Sequence, residues 1–528
     1  MNRIKRLGLM TVVALWAFVP RWTSAQELAS PVIGTIEVVT QEVFNESGGD
    51  FQGLYRVANG IHVRTRERVI LRELLFETGE PVDQELIEQT ERNLRTLPFL
   101  RDARVETYAV DDDLDGDVDR VDVRITTWDG WSLAPRFDIS RLHDRTLWEL
   151  GLSEKNLFGW GKAMRGSHRV TLDRSIDQFV FEDYQVFGSN VAMEASLADM
   201  SDGSEQFLKF DRGYLSLVDP WTVAMGAGRF NRTDPLFNNG VEEGRLQHVG
   251  RWGDVEVGRA IRQQGNRVIR VHGAYRIRDE QVGIQSRDFA IAEFGVRALS
   301  HRFVRLNHVN QFDRTEDFNL GFQVHGTLGL SSPVLGGQED RAMMVAFGHD
   351  QGFRFRDDHF LLMGFRFSGR HEKAAWRNSL ADASLRYLRK HSLKRALVGK
   401  VHYRYGHSLD PEVQILLGAE TGLRGYPIRQ FEGNRSFLLS LEERWFVVDD
   451  LGQLLSLGFA GFVDSGFVWS ELTPVDPADL KTAVGVSVLL GSTRLSRRPG
   501  IRIDIGYGLN AVEGASRLVF AAGSDLQF

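Results

Sequence analysis

The chain contains no cysteine in 528 residues, which excludes disulfides, thiol chemistry and cysteine-ligated metals. Proline is scarce, with 13 residues against 53 glycines, and long helical periodicities occur in only one region. After the N-terminus no stretch approaches 18 consecutive apolar residues, so no helical membrane span is expected. The formal charge of −7 is mild for this length and speaks against nucleic acid as a partner. Neither a GxSxG elbow nor an HExxH pair is present, and His371-Glu372 lacks a second histidine at the required spacing. The 14 histidines are scattered and no carboxylate pair stands apart, so the chain is expected not to be an enzyme and to need no cofactor.

Residues 1–25 carry the features of a secretory signal. Arg3, Lys5 and Arg6 form the charged start, Leu7 to Val19 the apolar run and Thr23-Ser24-Ala25 the small-residue cleavage site. The alternative, a membrane anchor, is disfavoured because that run falls short of the roughly 20 residues a spanning helix needs.

Residues 26–128 then predict a small β-α-α-β-β unit. Val32 to Phe44 reads as a β-branched strand, followed by a polar insert with Asn45, Gly48 and Gly49. Val69, Ile70, Leu74 and Leu75 mark one face of a helix over Arg66–Phe76, closed by Gly79. Asp83 caps a second helix in which Leu86, Ile87, Leu94 and Leu97 recur at helical spacing before Pro98 ends the run. Strands are predicted over Ala103–Val110 and Val118–Thr126. Between them, Asp111, Asp113, Asp115, Asp117 and Asp122, with Gly116 at the turn, follow the alternate-oxygen spacing of a calcium loop. Asp122 stands where a bidentate glutamate is usual, and a strand follows where a helix would. Calcium binding and a solvated acidic hairpin tip are both compatible with the pattern.

From 129 to 528 the sequence breaks into period-2 segments separated by polar turns. Examples are Leu133–Arg141, Thr146–Ser153, Trp221–Phe230, Val268–Arg276, Phe360–Ser368, Ala396–Tyr405 and Ile501–Gly508. In the last, Arg502 and Asp504 alternate with Ile501, Ile503 and Ile505. Segments of about ten residues with one charged and one greasy face are the pattern of a membrane β-barrel. A soluble sandwich is the alternative, but its interior could not wet so many full charges. Trp160, Trp221, Trp445 and Trp469 near segment ends suit interfacial girdles. Alternation alone gives between about 16 and 20 strands, since segments between Gln281 and Gln338 read equally as wall or as surface hairpin.

One loop stands out, near 418–435, in which Arg424 sits between Leu423 and Gly425 ahead of a strand carrying Phe437, Leu439 and Leu441 on one face. An arginine facing lipid would cost about 2–4 kcal/mol, so this loop belongs in the lumen. There the guanidinium fork can grip a carboxylate. Asp464 is the candidate partner, with Glu420, Glu442 and Glu443 competing, and a plain surface-loop arginine is the alternative.

These motifs resemble those of the BamA/TamA-like outer-membrane assembly family. The RERVILRELLFETGEPV run (66–82) and the LRTLPFLRDARVE run (94–106) are similar to a POTRA domain. Asn156-Leu157-Phe158-Gly159-Trp160-Gly161 resembles the family's NLFGxG turn, with Asn156, Gly159 and Gly161 as its marked positions. Arg424-Gly425-Tyr426 resembles the RGF/RGY motif of a loop folded into the lumen, and Phe462, Asp464 and Gly466 match FxDxG on the second strand after it. The resemblance implies a barrel of 16 antiparallel strands, five of them after this loop. It also implies a terminal aromatic, Phe528, read by the insertion machinery. The implied partners are unfolded outer-membrane or secreted polypeptides, outer-membrane lipid, and accessory periplasmic or lipoprotein factors. A passive pore and a single-client secretion translocator are the alternative functions.

Overall fold

A computed structural model of the chain describes residues 31–46, 52–111, 118, 120–142, 145–338, 341–453, 455–470, 476, 479–491, 501–512 and 516–523. The signal segment, Asp113, Asp115, Asp117 and Phe528 lie outside these residues.

The N-terminal module is built from β1 (Val32–Gln41), α1 (Gln52–Ile61), α2 (Glu67–Leu71), α3 (Gln84–Thr96), β2 (Leu100–Val110) and β3 (Arg120–Asp129). Its sheet runs β1-β3-β2, with β3 parallel to β1 and antiparallel to β2. The two helical patterns supply the apolar face: Val69, Ile70, Ile87 and Leu94 pack with Phe99 onto Ile33, Val123 and Ile125. Asp83 caps α3 by accepting from the Glu85 and Leu86 amides at 2.9 and 3.3 Å.

Two features differ from expectation. The helix expected over 66–76 ends at Leu71 because the chain tightens there: the Glu73 and Leu74 amides reach back three residues, and the Leu75 amide is taken by Thr90 Oγ1. Helix α1 was not expected and stands outside the module's core. Its Asn59 side chain exchanges two hydrogen bonds with the Phe44 backbone, at 2.9 and 3.1 Å, and Tyr55 stacks on Phe44 with ring centroids 5.4 Å apart.

The rest of the described chain closes a barrel, from β4 (Leu133–Leu142) round to the last strand, Leu518–Gly523, which lies beside β4. Every predicted segment quoted above falls within a wall strand, often a longer one; the longest, Val241–Gln264, has 24 residues. The expected count of 16 is corrected: the described residues contribute 20 strands to the wall. Closure depends on tilt and stagger shared by all strands, which the alternation of any one strand does not encode. In the ambiguous region, Gln285–Ser300 and Phe322–Ser331 are wall strands, whereas Phe303–Leu306 and Glu316–Asn319 pair only with each other. Five wall strands follow the Arg424 loop.

Wall height is uneven. The six strands between 133 and 212 have 9 or 10 residues, whereas the strands Trp221–Asn238 and Ala375–Ser392 have 18 each. The alternation is realised throughout. In Ile501–Gly508 the side chains of Arg502 and Asp504 are buried inward while Ile501, Ile505 and Tyr507 are exposed outside.

Truncating the fully buried Leu94 tests the module's core. Leu94→Ala should cost about 2–5 kcal/mol and make α3 and β2 the first protease-sensitive segments, leaving barrel heat-modifiability in place.

Candidate functional site: a buried charge network in the lumen

The segment 408–434 leaves the barrel rim farthest from the N-terminal module and folds back inside. A short strand pair, Ile415–Leu417 with Phe431–Gly433, stiffens it. Its charged residues brace it against distant parts of the wall: Glu412 accepts from Arg287 at 2.6 Å, Asp410 from Arg370 at 3.1 Å, and Arg429 donates to Asp173 at 2.6 Å.

Arg424 is the deepest of these braces, with 2% exposure. Its Nε and Nη2 donate to the two oxygens of Asp464 at 2.8 and 2.7 Å, its Nη1 donates to Glu442 at 2.5 Å, and the guanidinium lies 3.5 Å above the Phe462 ring. Ser440 Oγ donates to Asp464 at 2.7 Å. Of the partners named from sequence, the structure brings Asp464 and Glu442 to Arg424 together. Glu420 instead accepts from the Arg429 amide, and Glu443 from Arg395.

The network extends past the predicted residues. Glu442 also accepts from Arg444 at 2.6 Å and from both terminal nitrogens of Arg502, at 2.9 and 2.7 Å, and Arg502 donates to Asp504 at 2.7 Å. Three arginines thus face three carboxylates in a nearly dry cluster, so the charges cancel. Only such pairing makes buried charge tolerable. Ser440, Arg444 and Arg502 were not assigned to the site from sequence. The available signal was their place on inward faces, as in the alternation of Ile501–Gly508, but nothing in the sequence sets them at one height.

Close backbone contact lets the loop reach this depth. A Cβ on Gly506 would lie 2.4 Å from the Arg424 carbonyl oxygen, and one on Gly425 would lie 2.4 Å from Ala483 Cβ. Tyr426 completes the fit, donating from its hydroxyl toward Thr482 O and Asn510 Oδ1 at 3.0 and 3.1 Å.

A second segment, 301–321, enters from the opposite rim. Glu316 holds its tip by accepting from the Val309 and Asn310 amides, both at 2.9 Å, and Phe312 packs edge-on to Phe446. The Val309 carbonyl accepts from Arg444 at 2.7 Å. The two inserts therefore meet through Glu442, which touches Arg424 of one and Arg444 beneath the other. The base of the second insert is gripped by α3: Arg95 donates to Asp317 at 3.0 Å, and Arg305 pairs with Glu91 at 2.7 Å.

The NLFGWG turn joins the module to the wall. Asn156 donates to Thr65 Oγ1 at 2.8 Å and accepts from the Gly161 amide at 2.8 Å, while Thr65 Oγ1 donates to the buried Asp129 at 2.8 Å. The Gly159 carbonyl accepts from the Arg66 amide at 3.0 Å, and Arg68 stacks 3.7 Å over Trp160. The next turn on this rim, Gln185-Val186-Phe187-Gly188, repeats the geometry, with Phe187 at φ 51° matching Phe158 at φ 54°. Gln185 donates to Val69 O at 3.0 Å and to Glu73 at 2.6 Å. The recurring Phe-Gly pair was its only sequence signal. Of the acidic loop, Asp111 and Asp122 are described. Asp122 Oδ1 is engaged inside the sheet, accepting from the Thr35 amide at 2.7 Å.

A POTRA-like module locked to the rim of a closed barrel whose lumen holds an arginine-pinned loop defines a POTRA–barrel protein. Residues 57–127 match the POTRA family, described as a surface antigen variable number repeat. Among solved structures the chain is similar to CdiB from Acinetobacter baumannii at 13% identity and TM-score 0.45, over 93% of this chain and 73% of that one. It is also similar to CdiB from Escherichia coli, at 12% identity and TM-score 0.46 over 94% and 76% of the two chains. BamA from Haemophilus ducreyi lacking POTRA domains 1–3 matches at 10% identity and TM-score 0.39, over 93% and 84%. No curated protein matches by sequence. Residues 57–127 thus lie in one POTRA domain among the described residues, set ahead of a closed barrel.

Two predictions follow from this geometry. Arg424→Ala leaves Asp464 and part of Glu442 buried without their cation, so it should cost about 3–5 kcal/mol; Arg424→Lys should restore only part, lacking the fork. Thermal loss of the heat-modifiable form and cleavage within 408–434 report both. At the junction, burial pushes the Glu73 carboxyl above the ordinary range, partly offset by the Gln185 hydrogen bond. A carboxyl raised in the folded state favours folding at low pH and loses that contribution as pH rises through its folded value. Docking of α2 should therefore loosen as pH rises from the ordinary carboxylate range through the raised folded value, and Glu73→Gln should flatten that change in pulse proteolysis.

Proposed function

We propose that this protein is an outer-membrane factor that inserts or translocates polypeptides, with the POTRA domain in the periplasm. The observation that carries this reading is the occupied lumen: two inward-folded segments, joined through one neutral charge network, fill the space that a passive pore leaves open. The outward face of the wall is apolar, with Leu150, Leu152, Phe179, Leu197 and Phe294 exposed, as a bilayer requires.

The client enters as a strand. One edge of the POTRA sheet is blunted, since β1 is capped by hydrogen bonds between Ile33 and residues 79–80. The other edge is β2, whose Val105 amide is taken by Glu91 at 2.9 Å. By ladder alternation the Thr107 and Ala109 amides point the same way, toward an edge that an extended client can extend. Short strands flank the seam where β4 meets the last strand, 10 residues in β4 and six in the other among the described residues, which limits the ladder hydrogen bonds that opening there must break. No bond-making chemistry is involved and no cofactor is required. Calcium at 111–122 would stiffen the hairpin beside this edge.

A photo-crosslinker at Tyr108 in intact cells tests the reading. Capture of exported or outer-membrane polypeptides is expected. Absence of polypeptide adducts, together with steady selective conductance in planar bilayers, would replace it with a passive pore. Loss of one secreted product on deletion, with general assembly intact, would narrow it to a single-client translocator.

A further inference from the structure

Helix α1 divides into three arcs. Tyr55, Ala58 and Asn59 face the protein, and Tyr55 Oη donates to Gly452 O at 2.6 Å in the turn between two wall strands. Gln52, Arg56 and Gly60 form a polar arc that faces out. Between these, Leu54, Val57 and Ile61, at helical spacing, are exposed by 55%, 60% and 66%. An apolar stripe of that exposure on a short helix costs free energy in water.

The stripe runs into the outer face of the wall. Ile61 and Val63 line one shallow groove with Leu133, Leu157 and Phe158. Leu133 is an outward residue of β4, exposed while its neighbour Ala134 is buried, and Leu150 and Leu152 continue the apolar surface on the adjacent strand. Phe158 and Phe187 stand exposed at the tips of the two turns on this rim. Aromatic tips and exposed Arg56 beside an aliphatic stripe, on the rim that carries the two turns, match the acyl–headgroup boundary of a bilayer.

We infer that α1 is an interfacial anchor, lying along the membrane surface with Leu54, Val57 and Ile61 in phospholipid beside the seam. The inference rests on the wall spanning a bilayer, and the test separates the two. Because the natural chain lacks cysteine, single cysteines at Val57, Arg56 and Leu150 of the full-length protein can each carry an environment-sensitive fluorophore. The labelled proteins are reconstituted in phosphatidylcholine vesicles with or without shallow bromolipid quencher, and heat-modifiable migration selects folded protein. The Val57 probe should be blue-shifted and quenched several-fold more than the Arg56 probe, approaching Leu150. Quenching at Leu150 but not at Val57 overturns the anchor and leaves the wall in lipid. No quenching at Leu150 overturns both. Ile61→Cys supplies a second position on the stripe should Val57→Cys fold poorly, and an unquenched Ile61 probe counts against the anchor equally.

Discussion

Glu442, 3% exposed inside the barrel, accepts hydrogen bonds from three guanidinium groups, and the closure of the lumen depends on that compensation. A carboxylate there is tolerable only with cations held in good geometry. The cations come from different places in the chain: Arg424 from the far-rim insert, Arg444 from the same strand and Arg502 from a strand near the C-terminus. Each arginine in turn needs its own acceptor, which brings in Asp464, Asp504 and the Val309 carbonyl. Removing any member strands another, so the two inserts and the wall strands Arg435–Leu451, Leu455–Trp469 and Ile501–Gly508 behave as one electrostatic unit.

The same unit connects the two ends of the molecule. Helix α3 holds Asp317 and Arg305 at the base of the domain-side insert, whose tip rests on Arg444, and Arg444 and Arg424 share Glu442. A polypeptide drawn along β2 would lie beside the helix that grips this chain of contacts. The contacts are polar and internally neutral, so a lumen that opened would hydrate the groups it separated. An apolar plug of equal size would expose its whole surface at once.

Much of the fold was legible. Period-2 alternation marked the wall because one face meets an apolar surround and the other a polar lumen. The module's α2 and α3 patterns survived because their apolar residues make one core. Helix α1 was illegible because its apolar stripe does not join that core, and its ten residues lie in a stretch that reads as a polar insert. The Gln185–Gly188 turn was missed because its function lies in backbone geometry shared with Asn156–Gly159, not in shared side chains. Segments between Gln281 and Gln338 read equally as wall or as surface hairpin; the 301–321 insert is such a hairpin, and what the sequence did not show is that it turns into the lumen.

At the site, the sequence by itself determined that Arg424 needs a lumenal carboxylate, since an arginine cannot rest in lipid and its fork suits Asp464. It also determined which faces of the strands are wet, because that follows from residue order alone. Only the tertiary structure decided that 20 strands of the described residues close the wall, because stagger is a property of the whole ring. It alone decided that Glu442 is shared, since Arg424 and Arg502 reach the Glu442–Arg444 pair only when the loop folds inward and barrel tilt sets the two strands at one height.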